Sequence, residues 1–452
     1  MRILLCCELY SPSVGGVQEV MQQLAERLVV RGHEVTVATT KLPTRLFSEL
    51  NGVTIREFKI SGNLVRGMEG KVAEYRRFVA SQPFDVIMIK AAQQWTFDAL
   101  WPVLSEIKAG KVFVPCGFSG LYEPAYAEYF RQLPRILQQF DHLIFYASDY
   151  RDINFAKEHG ISRFSIVPNG ASEAEFSVAP DPCFRERHSI GPDDLLFLTV
   201  GSLSGVKGHL DVATAFLSAD LDRHPATLIL NGNESVPVEW KSTVRVLHGK
   251  CREYTRIVRD IYGKDGLFCA LRYLFHGVLN KGGVCRGQYT GKGITHHVTF
   301  KEELLAVTAE VGRQGSNKRV VVTDLPRSEL VQAYMNSDLF VFASHVEYSP
   351  LVLFESAAAG TPFLSVPVGN SAEIARWTGA GVICSASQDG KGYSKVDPEV
   401  LGECWSRLVK DRAYLRQLGE AGKAKWAEQF TWRDITHKYE EVFRKVANYA
   451  RV

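Results

Sequence analysis

The sequence predicts an α/β protein with two doubly wound, mostly parallel sheets. Short apolar runs without helical periodicity, typical of buried strands, alternate with segments whose apolar residues recur at helical spacing. The alternation forms two series, one beginning at Arg2 and one at Leu195. A chain of 452 residues also exceeds the size of one ordinary core. We therefore expect a first domain over residues 1–168 and a second over 171–430, with the boundary near Asn169 and Gly170.

In the first series, a predicted strand at 2–7 leads through a loop containing Gly15 and Gly16 into a helix with one apolar face. A strand at 35–39 completes a βαβ unit. A basic segment at 66–77 is predicted to be helical, lying either in solvent or against anionic lipid. The remaining predictions are strands at 53–58, 85–89, 111–115 and 142–147, a last strand beginning at Phe164, and a helix at 95–108.

The second series predicts strands at 195–201, 226–231, 319–323, 339–343 and 363–366, with helices at 207–218, 327–336 and, near the end of the chain, 435–446. Between them, residues from about 240 to 317 form a basic, aromatic insert without a regular pattern. It could be a lid, an acceptor or membrane contact, or a partner surface. The pair His296-His297 lacks the neighbouring Cys or carboxylate spacing of a metal site.

The composition is that of an ordinary globular protein, with 46% apolar and 23% charged residues. A net charge of +3 gives no support for nucleic-acid binding. Nine cysteines contain no CxxC pair, which predicts reduced thiols in a cytoplasmic protein. The short apolar run before Glu8 predicts no signal peptide, and no run is long enough to span a membrane.

Two carboxylates flank a predicted strand-to-helix turn: Glu347 lies in the turn, and Glu355 lies about a turn and a half into the helix. Ser349 suits the N-cap and Pro350 the first helical position, while Gly360 suits the C-terminal end. A helix N-terminus attracts phosphate, and carboxylates bind hydroxyls, so the turn suits a nucleotide sugar. Alternatively, both carboxylates are solvated surface charges.

Gly15 and Gly16 lie at the carboxyl end of the first predicted strand, where open α/β sheets bind ligands. They either let a backbone N–H approach a ligand closely or simply form a tight turn. The GxGxxG pattern of dinucleotide-binding proteins is absent, which disfavours a dehydrogenase.

The chain resembles the retaining GT-B glycosyltransferases of family 4 over nearly its whole length except the insert. That family has two Rossmann-like domains facing a cleft and a C-terminal helix, here about 432–452, that crosses back to the first domain. Five segments carry the resemblance: residues 10–17 with 31–35; Val167-Pro168-Asn169-Gly170 with Phe176; Gly201-Ser202-Leu203 with Lys207-Gly208; Glu347 to Glu355, with seven residues between them; and Phe430-Thr431-Trp432.

The resemblance implies roles for individual residues. Gly16, next to Gly15, would donate a backbone N–H to the donor; Lys207 would neutralise the leaving diphosphate. Glu347 would hold sugar hydroxyls, and Glu355 would hold the ribose. The further donor-site residues would be Ser202 in the phosphate segment, Pro350, Leu351 and Val352 at the helix start, and Asp324 and Leu325 beside the base; Cys116, Gly117, Phe118 and Ser119 would line the acceptor cleft.

Two positions depart from the family pattern. Ser202 stands where the family usually has Arg, so half of its cationic clamp is missing. Cys116 stands where the family often has His, which removes a residue that would orient the donor sugar.

The implied activity is transfer of a hexose from a nucleoside-diphosphate sugar, such as a UDP- or GDP-sugar, to an acceptor hydroxyl with retention. It implies no cofactor and no required metal. We expect a glycan or lipid-linked acceptor, in bacterial-type surface glycan synthesis. The protein itself is expected in the cytoplasm, and peripheral contact with the inner face of the membrane is left open. A sugar-nucleotide epimerase or hydrolase, or a non-catalytic nucleotide-binding subunit, remains an alternative.

Overall fold

The computed structural model describes residues 1–233, 300–313 and 317–449. Within these residues, eight strands form one sheet in the order β10-β9-β8-β7-β1-β2-β4-β3, and six form a second in the order β13-β12-β11-β14-β15-β16. Both sheets are parallel except for the β3–β4 pair. The strands of the two sheets are β1 Arg2–Cys6, β2 Glu34–Thr40, β3 Glu49–Leu50, β4 Val53–Phe58, β7 Val86–Lys90, β8 Gly110–Val114, β9 His142–Phe145, β10 Phe164–Ile166, β11 Leu195–Val200, β12 Ala226–Asn231, β13 Lys318–Thr323, β14 Leu339–Phe342, β15 Phe363–Ser365 and β16 Gly381–Ile383.

Two small hairpins pair β5 Ile60–Asn63 with β6 Gly67–Gly70, and β17 Ser387–Gln388 with β18 Ser394–Lys395. The described helices are α1 Gly16–Val30, α2 Val72–Ser81, α3 Trp95–Asp98, α4 Ala127–Leu137, α5 Arg151–Glu158, α6 Glu173–Phe176, α7 Phe184–Arg187, α8 His209–Ser218, α9 Phe300–Arg313, α10 Arg327–Asn336, α11 Leu351–Ala359, α12 Ser371–Thr378, α13 Pro398–Lys410, α14 Arg412–Lys425 and α15 Trp432–Tyr449, with 3-10 turns at Trp101–Glu106 and Pro124–Tyr126 and a π-helical turn at Trp426–Phe430. This is the predicted α/β fold with two parallel sheets.

The first sheet is covered on both faces. Along β1, Leu4 and Cys6 point into one apolar cluster, while Ile3 and Leu5, with Cys7 just after the strand, point into another. A strand buried on both sides is apolar at every position, which explains why these strands lack alternation in the sequence.

The last described helix, α15, packs on the first lobe, which is the part of the protein built around the first sheet. The second lobe is the part built around the second sheet. Ile435, Tyr439, Phe443 and Val446 of α15 are buried in the same cluster as the inner face of α1. A Cβ on Gly110 of β8 would lie 2.4 Å from Cγ1 of Val446, so the helix packs directly on the sheet. The predicted return of the C-terminal helix to the first domain is therefore confirmed.

Two helices are shorter in the structure than the sequence predicts. The segment 95–108 divides into α3 and a 3-10 turn, because Pro102 has no N–H to continue an α-helix. The segment 66–77 begins as strand β6, and helix α2 starts only at Val72. Its Tyr75 and Val79 are buried, so they face the protein interior rather than a lipid surface.

Most of the predicted insert at 240–317, including His296-His297, lies outside the described residues. Among the residues that the structure describes, no helix combines the length and the apolarity needed to cross a membrane. The domain limits at 168 and 171 stay a prediction. The strands of the first sheet all precede residue 167, and those of the second all follow residue 194.

Candidate active site between the lobes

Among the parallel strands of each sheet, there is one point where the strand order reverses. In the first lobe it lies between β1 and β7, and in the second between β11 and β14. Ligands of open α/β sheets bind outside the carboxyl ends of the strands at such points. Gly15 and Gly16 follow β1, Lys207 follows β11 and Glu347 follows β14, so these four of the predicted site residues lie at the reversals.

Lys207 and Glu347 form an ion pair at the reversal of the second sheet. The Nζ atom of Lys207 lies 2.5 Å from Oε1 of Glu347, and the Ser344 hydroxyl donates to the same oxygen at 3.1 Å. Both charged side chains are mostly buried. The structure therefore brings together two residues that are 140 positions apart in the chain.

The loop carrying Lys207 is held against the end of β14. The backbone N–H of His345 donates to the carbonyl of Val206 at 2.8 Å. Gly208 has a φ of 74°, and a Cβ at this position would lie 2.0 Å from the carbonyl oxygen of Ala343. Only glycine fits this left-handed, closely packed position, so it fixes the approach of the lysine loop.

Helix α11 begins one residue later than predicted. Pro350 is its N-cap, with an extended ψ of 116°, and the Ser349 hydroxyl makes no hydrogen bond among the described residues. The prediction that Ser349 caps the helix was therefore wrong. Leu351 and Val352 head the helix, where no preceding turn can accept from their amides. Gly360 ends the helix in the left-handed conformation, as predicted.

Glu355 lies inside α11, and its side chain is only 10% exposed. Its Oε1 accepts from Nη2 of Arg327 at 2.6 Å. The same guanidinium holds Glu175, with Nε and Nη2 each 2.8 Å from a carboxylate oxygen. The second predicted carboxylate is therefore a buried, paired group and not a solvated surface charge.

The two lobes meet where α1 faces α11. A Cβ on Gly16 would lie 3.7 Å from Cδ1 of Leu351, which is an ordinary van der Waals distance. Gly15 precedes the helix as its N-cap, and a Cβ there would lie 2.7 Å from Oε1 of Gln18. Gly16 thus lies opposite the start of α11.

The segment Cys116-Gly117-Phe118 follows β8 with three consecutive positive φ values, 60°, 88° and 48°. Such strained backbone is typical of functional sites. The Gly117 N–H donates to Asp152 at 2.8 Å, and a Cβ on Gly117 would lie 3.1 Å from the Tyr348 ring. The Phe118 side chain is buried in the core of the first lobe, so only its backbone can face the cleft.

Several predicted residues lie at the margin of this arrangement. The Ser119 hydroxyl donates to Gln93 at 3.3 Å, and the Ser202 hydroxyl to Ser204 at 3.2 Å. Asp324 is exposed, while the Leu325 N–H donates to Oδ1 of Asn231 at 2.7 Å. Ser202 contributes no charge, so Lys207 stands in the described site without the second cation that the family pattern places there.

Sequence reasoning missed the residues that join the lobes. The ring of Tyr348 packs against Tyr146 and Tyr150, with centroids 5.4 and 4.7 Å away, and its hydroxyl accepts from the Tyr146 N–H at 3.1 Å. Glu373 accepts from the Ser148 N–H at 3.1 Å. No local pattern marks these residues, because each acquires its partner only when the lobes come together.

The described residues contain no group of three or more His, Cys, Asp or Glu side chains that could hold a metal ion. The charged side chains at the site form two ion pairs, Lys207 with Glu347 and Arg327 with Glu355, and helix-terminal amides lie next to them. Chemically, this set can neutralise an anion and bind hydroxyls next to it.

Two family models match the chain. The model described as Glycosyltransferase Family 4 matches residues 14–175, and the model described as Glycosyl transferases group 1 matches residues 313–424. The first contains the glycine loop, and the second contains both glutamates. The chain belongs to glycosyltransferase family 4.

Solved structures show the same GT-B fold as this family 4 chain. Sucrose-phosphate synthase from Thermosynechococcus elongatus superposes with a TM-score of 0.66 at 16% identity, covering 98% of each chain. The Anabaena protein HepE, solved with UDP and glucose, gives a TM-score of 0.64 at 13% identity, covering 98% of this chain and 100% of that one. At these identities the likeness shows the fold alone.

A curated relative of the family 4 chain is N-acetyl-alpha-D-glucosaminyl L-malate synthase of Bacillus anthracis, 28% identical over 110 residues. The match spans 24% of this chain and 26% of that enzyme.

Proposed function

We propose that this protein is a retaining glycosyltransferase that moves a hexose from a nucleoside-diphosphate sugar to an acceptor hydroxyl. The observation that carries the proposal is the Lys207–Glu347 pair, with a separation of 2.5 Å, at the strand-order reversal of the second sheet. It lies beside the amide-rich start of α11, which Gly16 faces from the other lobe.

The proposed chemistry is electrostatic. The bond between the anomeric carbon and the phosphate oxygen breaks, and the diphosphate leaves as an anion. Lys207 and the amides of Leu351 and Val352 stabilise that charge where it develops, which is commonly the largest single contribution to catalysis. The acceptor oxygen bonds to the anomeric carbon on the same face, and its proton passes to the leaving phosphate oxygen.

The carboxylates bind the neutral parts of the donor. Glu347 accepts hydrogen bonds from sugar hydroxyls once Lys207 turns to the phosphate, and Glu355 accepts them from the ribose. Gly16 brings a backbone N–H to the donor from the first lobe. In this proposal the lysine and the helix amides do the neutralising, so the reaction requires no divalent metal.

A UDP-sugar is the first donor to test, because HepE, which shares the fold, was solved with UDP and glucose. We place the acceptor against the first lobe, near Cys116 to Ser119, and expect a glycan or lipid-linked sugar at the cytoplasmic face of a membrane. The strained backbone at Cys116 and Phe118 supports a functional role for this edge.

The test is a thermal-shift screen against nucleoside diphosphates and their sugars, followed by incubation of the best donor with an acceptor panel. A ligand that binds the native state raises Tm by mass action, so the screen reports base and sugar together. NMR of the glycoside should show the anomeric configuration of the donor; inversion would contradict the proposal.

The same incubation separates the other activities that this scaffold could support. An isomeric nucleotide sugar formed without acceptor would indicate an epimerase, and free sugar a hydrolase. Tight nucleotide binding with no turnover on any acceptor would indicate a non-catalytic subunit.

A further inference from the structure

We propose that Arg327 is a positioning residue for the donor nucleotide: it fixes Glu355 for the ribose hydroxyls and anchors that carboxylate to the segment that crosses between the lobes. The inference rests on the proposed function, in which Glu355 binds the ribose. No sequence motif marks Arg327, and its role follows from contacts made on both sides of its guanidinium.

The guanidinium of Arg327 lies between two carboxylates. It grips Glu175 in a bidentate pair, through Nε and Nη2 at 2.8 Å each, and donates to Oε1 of Glu355 through Nη2 at 2.6 Å. The Phe176 ring lies under it, with the centroid 5.9 Å from the guanidinium carbon. A planar fork held by two bonds on one side presents the second N–H of Nη2 in a fixed direction.

Glu355 needs such a partner. Its side chain is 10% exposed, and removing the cation from such a buried pair would leave an uncompensated charge, which is costly. The bond to Arg327 engages Oε1, and an ionised carboxylate has further acceptor sites for hydroxyls. Arg327 therefore holds the carboxylate in one orientation while leaving it able to accept further hydrogen bonds.

The anchor on the other side is the short helix α6, which follows the crossing at Asn169. Glu175 and Phe176 belong to this helix, and so does Glu173. Glu173 is held from the first lobe by Arg27 of α1, whose Nη2 lies 2.9 Å away. One arginine from each lobe thus pairs with a glutamate of α6, but only Arg327 also contacts Glu355.

The two arginine–glutamate pairs on α6 provide a matched control. Both Arg327→Gln and Arg27→Gln break an arginine–glutamate pair on α6, but only the first frees Glu355. If Arg327 merely fastened α6, the two variants should bind nucleotide alike. If Arg327 positions Glu355, only Arg327→Gln should lose the contribution of the ribose hydroxyls.

The experiment is calorimetric titration with UDP and with its 2′,3′-dideoxy analogue, repeated with the guanosine pair if UDP does not bind. The unaltered protein and Arg27→Gln should each bind the ribonucleotide about 10- to 100-fold more tightly than the analogue, the range expected for hydrogen bonds to a charged group. In Arg327→Gln the ratio should fall to within about threefold of one. Arg327→Lys, which keeps the charge but loses the fork, should lie between.

The outcomes are distinct. If Arg327→Gln keeps the wild-type ratio, the inference is overturned while the proposed function stands. If no nucleoside diphosphate binds the unaltered protein, the proposed function fails and this inference fails with it. If the unaltered protein binds the dideoxy analogue as tightly as the ribonucleotide, the inference alone is overturned. Should Arg327→Gln not fold, Glu175→Gln removes the anchor and leaves the Glu355 contact; an unchanged ratio in both Glu175→Gln and Arg327→Lys would then overturn the inference.

Discussion

Lys207 and Glu347 form an ion pair, and in the proposed function a donor has to open that pair. In that proposal Lys207 would gain a diphosphate in place of a carboxylate, and Glu347 would gain sugar hydroxyls. The exchange keeps every charge partnered, so it avoids the cost of leaving one charge buried alone. The same exchange explains why an ion pair can be a resting state of the site.

At this scale we predict a graded response. Glu355→Ala should weaken nucleotide binding by about 1.5–3 kcal/mol, or roughly one to two decades in Kd. Lys207→Ala should reduce kcat more than it weakens binding, because its charge acts mainly on the leaving diphosphate. Calorimetry and steady-state kinetics measure the two effects.

Lys410→Ala is the control for Lys207→Ala, since Lys410 pairs with Asp220 at 2.5 Å on the exposed surface. It should change neither quantity. Equal, negligible effects of Glu355→Ala and Lys207→Ala would contradict the assigned site.

Individual elements were predictable to different degrees. Strands β4 and β12 and helix α10 match their predicted bounds, because short apolar runs and helical spacing are local signals. The hairpin of β5 and β6 was not predicted, because neither Ile60–Asn63 nor Gly67–Gly70 has a sequence pattern that indicates a paired strand. The Ser349 cap failed because helix α11 starts after Pro350 rather than at it.

The residues of the candidate site were also predictable to different degrees. The spacing of Glu347 and Glu355, the glycine pair and Lys207 could be seen in the sequence because each belongs to a local motif. Arg327 and Tyr348 could not, since their partners Glu175 and Tyr146 lie 152 and 202 positions away.

Helix α15 gives a pH prediction at the scale of the element. Burial alone would raise the pKa of Glu440, but hydrogen bonds from His33, Arg444 and Arg31 outweigh it and lower the pKa from 4.5 to about 2. A lowered pKa means that the charged form stabilises the fold above pH 4.5 and that this stability is lost as the pH falls toward 2.

Glu440→Gln should therefore lower Tm at neutral pH, by an amount that shrinks as the pH is reduced from about 4.5 toward 2. Glu441→Gln is the control, because Glu441 is the next residue of the helix and its contact with His437 is exposed. Unfolding followed by circular dichroism across this pH range would decide; an equal effect of both variants would refute the prediction.

At the scale of the whole molecule, the site is assembled from two lobes with separate tasks. In the proposal, the second lobe holds the nucleotide through Glu355 and the diphosphate through Lys207. The first lobe contributes the Gly16 amide and the acceptor edge. The ring of Tyr348 and the Glu373–Ser148 contact join the lobes beside this cleft.

Gly16→Ala should separate these tasks. The added methyl group would make an ordinary 3.7 Å contact with Leu351, so Tm should not fall. Nucleotide affinity should change little, because the proposal assigns nucleotide binding to the second lobe. Turnover should drop, on the order of 100-fold, if the methyl displaces the donor sugar by about 1 Å.

Gly390→Ala is the matched control, since a Cβ there would meet no atom within 4 Å. It should leave stability, affinity and turnover unchanged. Full turnover in Gly16→Ala would exclude a close approach of the donor to this glycine.

The return of helix α15 to the first sheet has a consequence for synthesis on the ribosome. The first lobe begins at β1, but Ile435, Tyr439 and Phe443, which close one face of its sheet, emerge only after the entire second lobe. At about 5–20 residues per second, that face waits on the order of tens of seconds for its cover. The nascent first lobe therefore carries an open apolar surface for most of translation, and chaperones have that interval in which to bind it.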